Sequence, residues 1–251
     1  MVFNMKRSKI IDIPSFDNKF TEYKHCVAFH EAGHAAAIYL NNKAHNLPPV
    51  FFQILFKDIN EISEGYKHAY HIGHDDCIAR VDGGRLIQSL PYSMDAFLDK
   101  LSEDDGAMVQ VVKDYVTAFE ADIVNLLVGP LAEAKYIADA DNELFNRRLV
   151  NINALKNYGG RSDIASAYEY LQSYSPNKQQ QDEKLDELFN VAFDFVNDYE
   201  NWKAISKLAD HIIESNKNTI SCEEVIAVLE FPNAGELAAE IPQPDHCVTY
   251  A

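Results

Sequence analysis

The sequence predicts a mainly α-helical protein with a small β-sheet placed after its first helix. Three observations carry that expectation. An alanine-rich, proline-free stretch runs from Thr21 to about Leu40. A β-branched and aromatic run follows from Val50 to Phe56, and beyond Pro91 apolar residues recur at helical intervals almost to the end of the chain. With 251 residues, 47% of them hydrophobic, the chain can bury a substantial core in one domain or two closely packed ones.

In the first helix, Val27, Phe29, Ala36 and Ile38 supply the apolar positions. Asn41-Asn42 and then Pro48-Pro49 mark its end. Val50 to Phe56 reads as a strand. Cys77 to Val81 and Arg85 to Gln88 read as two more, joined through a tight turn at Asp82-Gly83-Gly84. Val111, Tyr115, Phe119, Ile123 and Leu126 then recur every three or four residues in the longest helical segment. Two further amphipathic helices are expected, one through Leu185 to Val196 and one through Trp202 to Ile212, meeting near Asp198-Tyr199-Glu200. Ser221-Cys222-Glu223-Glu224 has the form of a capping box and should open a last short helix through Leu229. Pro232, Pro242 and Pro244 predict an irregular tail. The resulting division is an N-terminal extension over residues 1–20, a catalytic region over 21–174, a helical C-terminal part over 175–230 packed on it, and a tail over 231–251. The polar Ser175 to Asp182 stretch is the candidate boundary.

Acidic residues outnumber basic ones, 39 to 22, for a formal charge of -17, which argues against nucleic acid and anionic membrane surfaces as partners. It favours basic substrates, if it favours any. Cys26, Cys77, Cys222 and Cys247 are far apart and form no C-x-x-C pair, which argues for reduced thiols in a cytoplasmic setting. No apolar run approaches the roughly 20 residues of a membrane span, and no secretory signal is visible. None of the ten glycines lies in a phosphate-cradling G-x-x-x-x-G-K-[ST] loop, so no ATP dependence is expected of this polypeptide.

The chemistry centres on His30-Glu31-Ala32-Gly33-His34. On a helix, two histidines four residues apart project from one face, so two imidazole nitrogens can reach a single Zn2+ ion at about 2.0–2.1 Å. Glu31, one residue round, stands where a general base can take a proton from a metal-activated water. A third ligand is required. Asp163 is one candidate, in the first turn of the helix after Gly159-Gly160. Glu133 is another, a carboxylate among apolar residues at Gly129-Pro130-Leu131-Ala132-Glu133-Ala134.

Taken together and in this order, His30-Glu-Ala-Gly-His-Ala, Gly129-x-x-Ala-Glu133 and Gly159-Gly-Arg-Ser-Asp163-Ile resemble the signatures HEAGHA, G-R-x-A-E-E and G-A-S-x-D-[IL] of the FtsH-type metallopeptidases. The resemblance covers about Tyr23 to Leu229 and implies a zincin-like helical peptidase domain. By the same analogy Asp163 is the third zinc ligand, and Glu133 is a carboxylate that orients the site. The chain departs from the pattern at Pro130, Ala134, Gly160 and Arg161, and it has an apparent insertion at Asp141 to Asn157. Neither the family's ATPase module nor its membrane anchor is seen, and the oligomeric state is open. The function implied is ATP-independent zinc endopeptidase activity on unfolded or flexible polypeptide. The alternative is a catalytically silent relative that keeps zinc and holds a partner.

Secondary features are weaker. His68, His71 and His74, followed by Asp75, Asp76 and Cys77, form a second cluster of metal-capable groups that reads more simply as a solvated loop. His25 reads as a helix-surface residue and Cys222 as an inert thiol. Val50 to Phe56 is either a core strand or an exposed edge on which an extended peptide adds a strand.

Overall fold

The computed structural model describes residues 16–56, 79–91, 106–215 and 217–230. It is mainly helical with a small antiparallel sheet. In chain order the elements are α1 (Phe16–Ala44), β1 (Phe52–Phe56), β2 (Ala79–Gly83), α2 (Gly106–Ala140), a 3₁₀ turn (Ala154–Asn157), α3 (Arg161–Tyr174), α4 (Lys178–Asn197), α5 (Tyr199–Glu214), β3 (Thr219–Ser221) and α6 (Cys222–Glu230).

The core is built where α1 crosses α2. Ala28, Ala32, Ala35, Ala36 and Ala37 are buried on α1 against Val124, Leu127, Val128 and Leu131 of α2. Small residues bring the two axes close. A Cβ built at Gly33 would lie 2.7 Å from Ala132 Cβ and 3.0 Å from the Val128 carbonyl oxygen, so this contact admits only glycine without a shift. α1 is longer than the alanine-rich stretch predicts, beginning at Phe16 and running past Asn41-Asn42 to Ala44. Asn46, at φ 54°, marks the turn that follows. Both asparagines are buried and bond to Asn125 on α2. Asn41 Nδ2 donates to Asn125 Oδ1, and Asn125 Nδ2 donates to Asn42 Oδ1, each at 3.1 Å.

α4 and α5 wrap this pair. Asp198 both ends α4 and caps α5, its side chain accepting from the Asn201 N–H at 2.9 Å, so the expected junction is a single residue. Asn177 caps α4 in the same manner, which reduces the expected polar boundary to residues 175–177. Lys24 of α1 donates to the Ile213 carbonyl at 2.8 Å, satisfying an orphan acceptor in the last turn of α5. By length and composition Val109–Ala140 would cross a membrane, yet 67% of its most apolar window is buried inside the protein, as in a core helix.

The sheet differs from expectation in two respects. Its order is β2-β1-β3, so Val50 to Phe56 holds the central strand and cannot serve as an edge. Arg85 to Gln88 is not a strand. The Leu86 and Ile87 N–H groups, which a strand would offer to a neighbour, are taken by the Asp122 carboxylate of α2 at 2.9 Å each. The third strand comes instead from Thr219–Ser221, where Ser221 also caps α6 by accepting from the Glu224 N–H at 3.3 Å. Among the described residues the outer sides of β2 and β3 pair with no further strand.

Candidate metal centre

Each ligand candidate is set by a different element. His30 and His34 lie one turn apart in the middle of α1, and their Nε2 atoms face each other at 3.1 Å. Asp163 enters from the first turn of α3. Its Oδ2 is 3.4 Å from His30 Nε2 and its Oδ1 is 3.5 Å from His34 Nε2. Glu133, on α2, faces the opposite side of the His30 ring and does not join this trio. Its Oε2 accepts a hydrogen bond from His30 Nδ1 at 3.0 Å. His34 Nδ1 donates to the Asn125 backbone carbonyl at 2.9 Å. His68, His71 and His74 lie outside the described residues, as do Cys77 and the chain beyond Glu230. His25 bonds only its own helix, at the Thr21 carbonyl, and stacks near Tyr136.

The tautomers follow from these partners. A carboxylate and a carbonyl can only accept, so both histidines carry hydrogen on Nδ1, and both Nε2 atoms are left as bare acceptors. Two Nε2 atoms at 3.1 Å, with a carboxylate across from them, suit either a shared proton or a metal ion between them. A tetrahedral ion with bonds of about 2.05 Å has ligand–ligand edges of roughly 3.3 Å; the two Nε2 atoms are 3.1 Å apart, and each has a different Asp163 oxygen near it, Oδ2 at 3.4 Å from His30 and Oδ1 at 3.5 Å from His34. Asp163 Oδ2 is buried with no hydrogen-bond partner among the described groups, as an oxygen intended for a metal would be. His30, His34 and Asp163 could together hold a metal ion, and Glu133 and the Asn125 carbonyl fix the two rings from behind.

Electrostatics agree. Burial opposes charge on His30, but the Asp163 and Glu133 carboxylates overcome it and raise its pKa well above the ordinary value. Burial likewise pushes the Asp163 carboxyl up, and His34 and His30 more than reverse this, holding it below the usual range. The same negative field that raises the His30 pKa favours any cation at this point. Glu31, 6% exposed, is raised by burial against the lowering pull of His30 and His34, and it accepts from the Val81 N–H of β2. It stands beside the trio without belonging to it.

Two glycines explain why the rings sit where they do. A Cβ at Gly129 would be 2.2 Å from His34 Nε2. One at Gly159 would be 2.9 Å from His30 Cε1 and 3.1 Å from Glu133 Oε2. Each glycine is the floor beneath one ligand ring, and Gly159 also needs its φ of +71° for the turn into α3. Sequence reasoning found the glycines but assigned only the turn. It missed Asn125, for which no motif speaks, and it missed the Asp122–Tyr170 pair, in which Tyr170 donates to Asp122 Oδ2 at 2.9 Å. Burial lifts the Asp122 carboxyl despite three donors, and it lifts the Tyr170 hydroxyl as well. Both line the cleft of about 750 Å³ that opens over the trio.

No protein-family model, curated protein or solved structure matches this chain.

Proposed function

We propose that the chain is a zinc-dependent endopeptidase with a zincin-like, FtsH-related site, acting without ATP on unfolded or flexible polypeptide in the cytoplasm. The observation that carries this reading is the gathering of His30 Nε2, His34 Nε2 and the Asp163 carboxylate within metal-binding reach of one another, with Glu31 beside them. When bound, zinc supplies a water of lowered pKa and polarises the scissile carbonyl. Everything else falls to side chains and backbone of this chain. His30, His34 and Asp163 would hold the ion at the base of the cleft. Glu31 takes the proton of the attacking water and can return it to the leaving amine. Its burial keeps the carboxyl's affinity for that proton above that of an ordinary glutamate, which suits a group that must both accept and release it.

The outer edge of β2 is the feature that suits an extended substrate. Ala79, Arg80, Val81 and Gly83 line the cleft, and a peptide adding to this edge would bring its carbonyls past Glu31 while its backbone completes the ladder. Such binding selects conformation before side chain, in keeping with an unfolded substrate.

Elemental analysis and cleavage of denatured casein test the reading. The protein should hold one zinc per chain. Glu31→Gln should keep the metal and lose about 10²- to 10⁴-fold in rate, whereas His34→Ala and Asp163→Ala should lose the metal. A wild-type protein that holds no stoichiometric zinc and leaves casein intact would overturn the proposal. Full zinc occupancy in Asp163→Ala would remove Asp163 as third ligand.

A further inference from the structure

The cleft runs along one face of α1. Glu22, Cys26, His30, His34 and Ile38 recur every fourth residue and all line it, so at 1.5 Å per residue the lining covers about 24 Å of axis, with the ligand pair near its middle. β2 runs in the same direction. Val81 is level with Glu31, to which its N–H donates, and Gly84 is level with Ile38, whose Cδ1 a Cβ at Gly84 would meet at 2.4 Å. Three residues of strand and seven of helix each cover roughly 10 Å, so the two measures agree.

Arg85 follows at that far end. It lines the main cleft and also an adjoining cavity of about 370 Å³, shared with Val50, Phe51 and Gln88. Its guanidinium lies over the Tyr170 ring, 5.9 Å from the centroid, and it closes no ion pair among the described residues. The carboxylate whose field it feels, Asp122, already has both oxygens engaged by Leu86 N–H, Ile87 N–H and the Tyr170 hydroxyl. Those same bonds clamp the two residues after Arg85 to α2, so the cation is presented from a fixed backbone.

We infer that Arg85 is a specificity-determining residue that receives a carboxylate side chain of the substrate about three residues from the scissile bond. The inference rests on the peptidase reading above. An extended chain advances about 3.3 Å per residue, so the roughly 10 Å from Val81 to Gly84 corresponds to three residues, with Arg85 the next position along. β2 runs from the ligand pair toward Arg85, and antiparallel addition, the commoner and slightly more stable ladder, makes the substrate enter at Arg85. The acidic side chain therefore lies on the N-terminal side of the cut. The overall charge of -17 argues for basic substrates instead, but screening confines distant charges to about 8–10 Å, and at that range the local cation decides.

The test begins from one site at which the zinc-loaded protein cuts denatured casein. Three quenched fluorescent peptides of that sequence carry Glu, Gln or Lys at the third residue on the N-terminal side. The Glu-to-Gln ratio of kcat/KM should be about fivefold at low salt and should approach one at about 1 M salt, where the screening length is near 3 Å. Arg85→Gln should abolish the ratio, Arg85→Lys should retain part of it, and Arg85→Glu should turn the preference to Lys. A wild-type ratio of one, or one that survives Arg85→Gln, refutes the subsite while leaving the peptidase reading intact. Absence of zinc-dependent casein cleavage in the wild type overturns both.

Discussion

Gly129→Ala tests whether the His34 ring is seated as described. The new methyl carbon would lie 2.2, 2.4 and 2.5 Å from Nε2, Cε1 and Cδ2 of that ring. Non-bonded heavy atoms settle near 3.5 Å, so ring and methyl must separate by more than about 1 Å. The ring is tied to the Asn125 carbonyl at 2.9 Å and faces His30 and Asp163 at 3.1 and 3.5 Å, and a shift of that size breaks at least one of these relations. Two effects oppose each other in the metal-free protein. Alanine gains about 1 kcal/mol over glycine in a helix interior, and overpacking costs about 1–3 kcal/mol, so apo stability should fall by roughly 0–2 kcal/mol. Zinc affinity has no offsetting gain and should fall about 10- to 100-fold, the usual cost of disturbing a ligand's supporting contacts. Competition against a fluorescent chelator measures the affinity, and urea unfolding with and without zinc separates the two effects. A tenfold loss in affinity removes about 1.4 kcal/mol of zinc-dependent stabilisation at saturating metal. Zinc affinity within twofold of wild type would refute the placement of Gly129 beneath His34.

Other contacts give further expectations. Glu133→Gln preserves the shape beside His30 but removes the charge behind it, and chelator competition should show zinc affinity reduced about tenfold; an unchanged value would make the 3.0 Å contact incidental. Gly160→Ala places a methyl 2.6 Å from Pro130 Cβ, so the first turn of α3, which carries Asp163, must move away from α2. Unfolding should report a loss of about 1–3 kcal/mol, and zinc binding should weaken with it. For Asp122 the sign follows from a raised pKa in the folded state. Its stabilising contribution is complete below the unfolded value of about 4 and is lost as the pH rises through the folded value. Because Asp122→Asn does not titrate, the stability advantage of wild type over this variant in urea should shrink between pH 4 and 7, and an advantage that grows with pH would contradict the assignment.

How much of this was legible in the sequence depended on the range of the interactions involved. Local signals served well. The alanine-rich run located α1, the i/i+4 spacing located two histidines whose rings meet across one turn, Asp198 lay at the expected junction, and Ser221 marked the cap it forms. Long-range pairings were not legible. β3 is three residues long and joins β1 from more than 160 residues away, so no periodicity announces it, and without β3 the strand at Phe52–Phe56 reads equally well as edge or centre. Arg85 to Gln88 has strand-like composition, but a side chain distant in sequence, Asp122, claims its amide donors, and propensity cannot register that competition. The roles of Asp163 and Glu133 were readable only through the resemblance, and in the structure the Asp163 carboxylate faces His30 Nε2 while Glu133 faces His30 Nδ1.

The departures from the resembled pattern become intelligible through the same contacts. What the chain retains touches the ligands: Gly129 lies under His34, Gly159 lies under His30, Glu133 holds His30, and Ala132 meets Gly33 where α1 and α2 cross. Two of the changed positions touch each other. Pro130 stands where the pattern has arginine and Gly160 where it has alanine, and the methyl that alanine would bring to position 160 would lie 2.6 Å from Pro130 Cβ and 2.8 Å from its Cγ. A smaller residue on one side accommodates a rigid ring on the other. Proline also withdraws the N–H that would bond the Leu126 carbonyl within α2, which loosens the helix on the cleft side, where Leu126 is partly exposed. These substitutions therefore change how α2 meets the turn into α3 while leaving the His30, His34 and Asp163 side chains together, so on the proposed reading a change in substrate handling would lie in the cleft wall and not in that group.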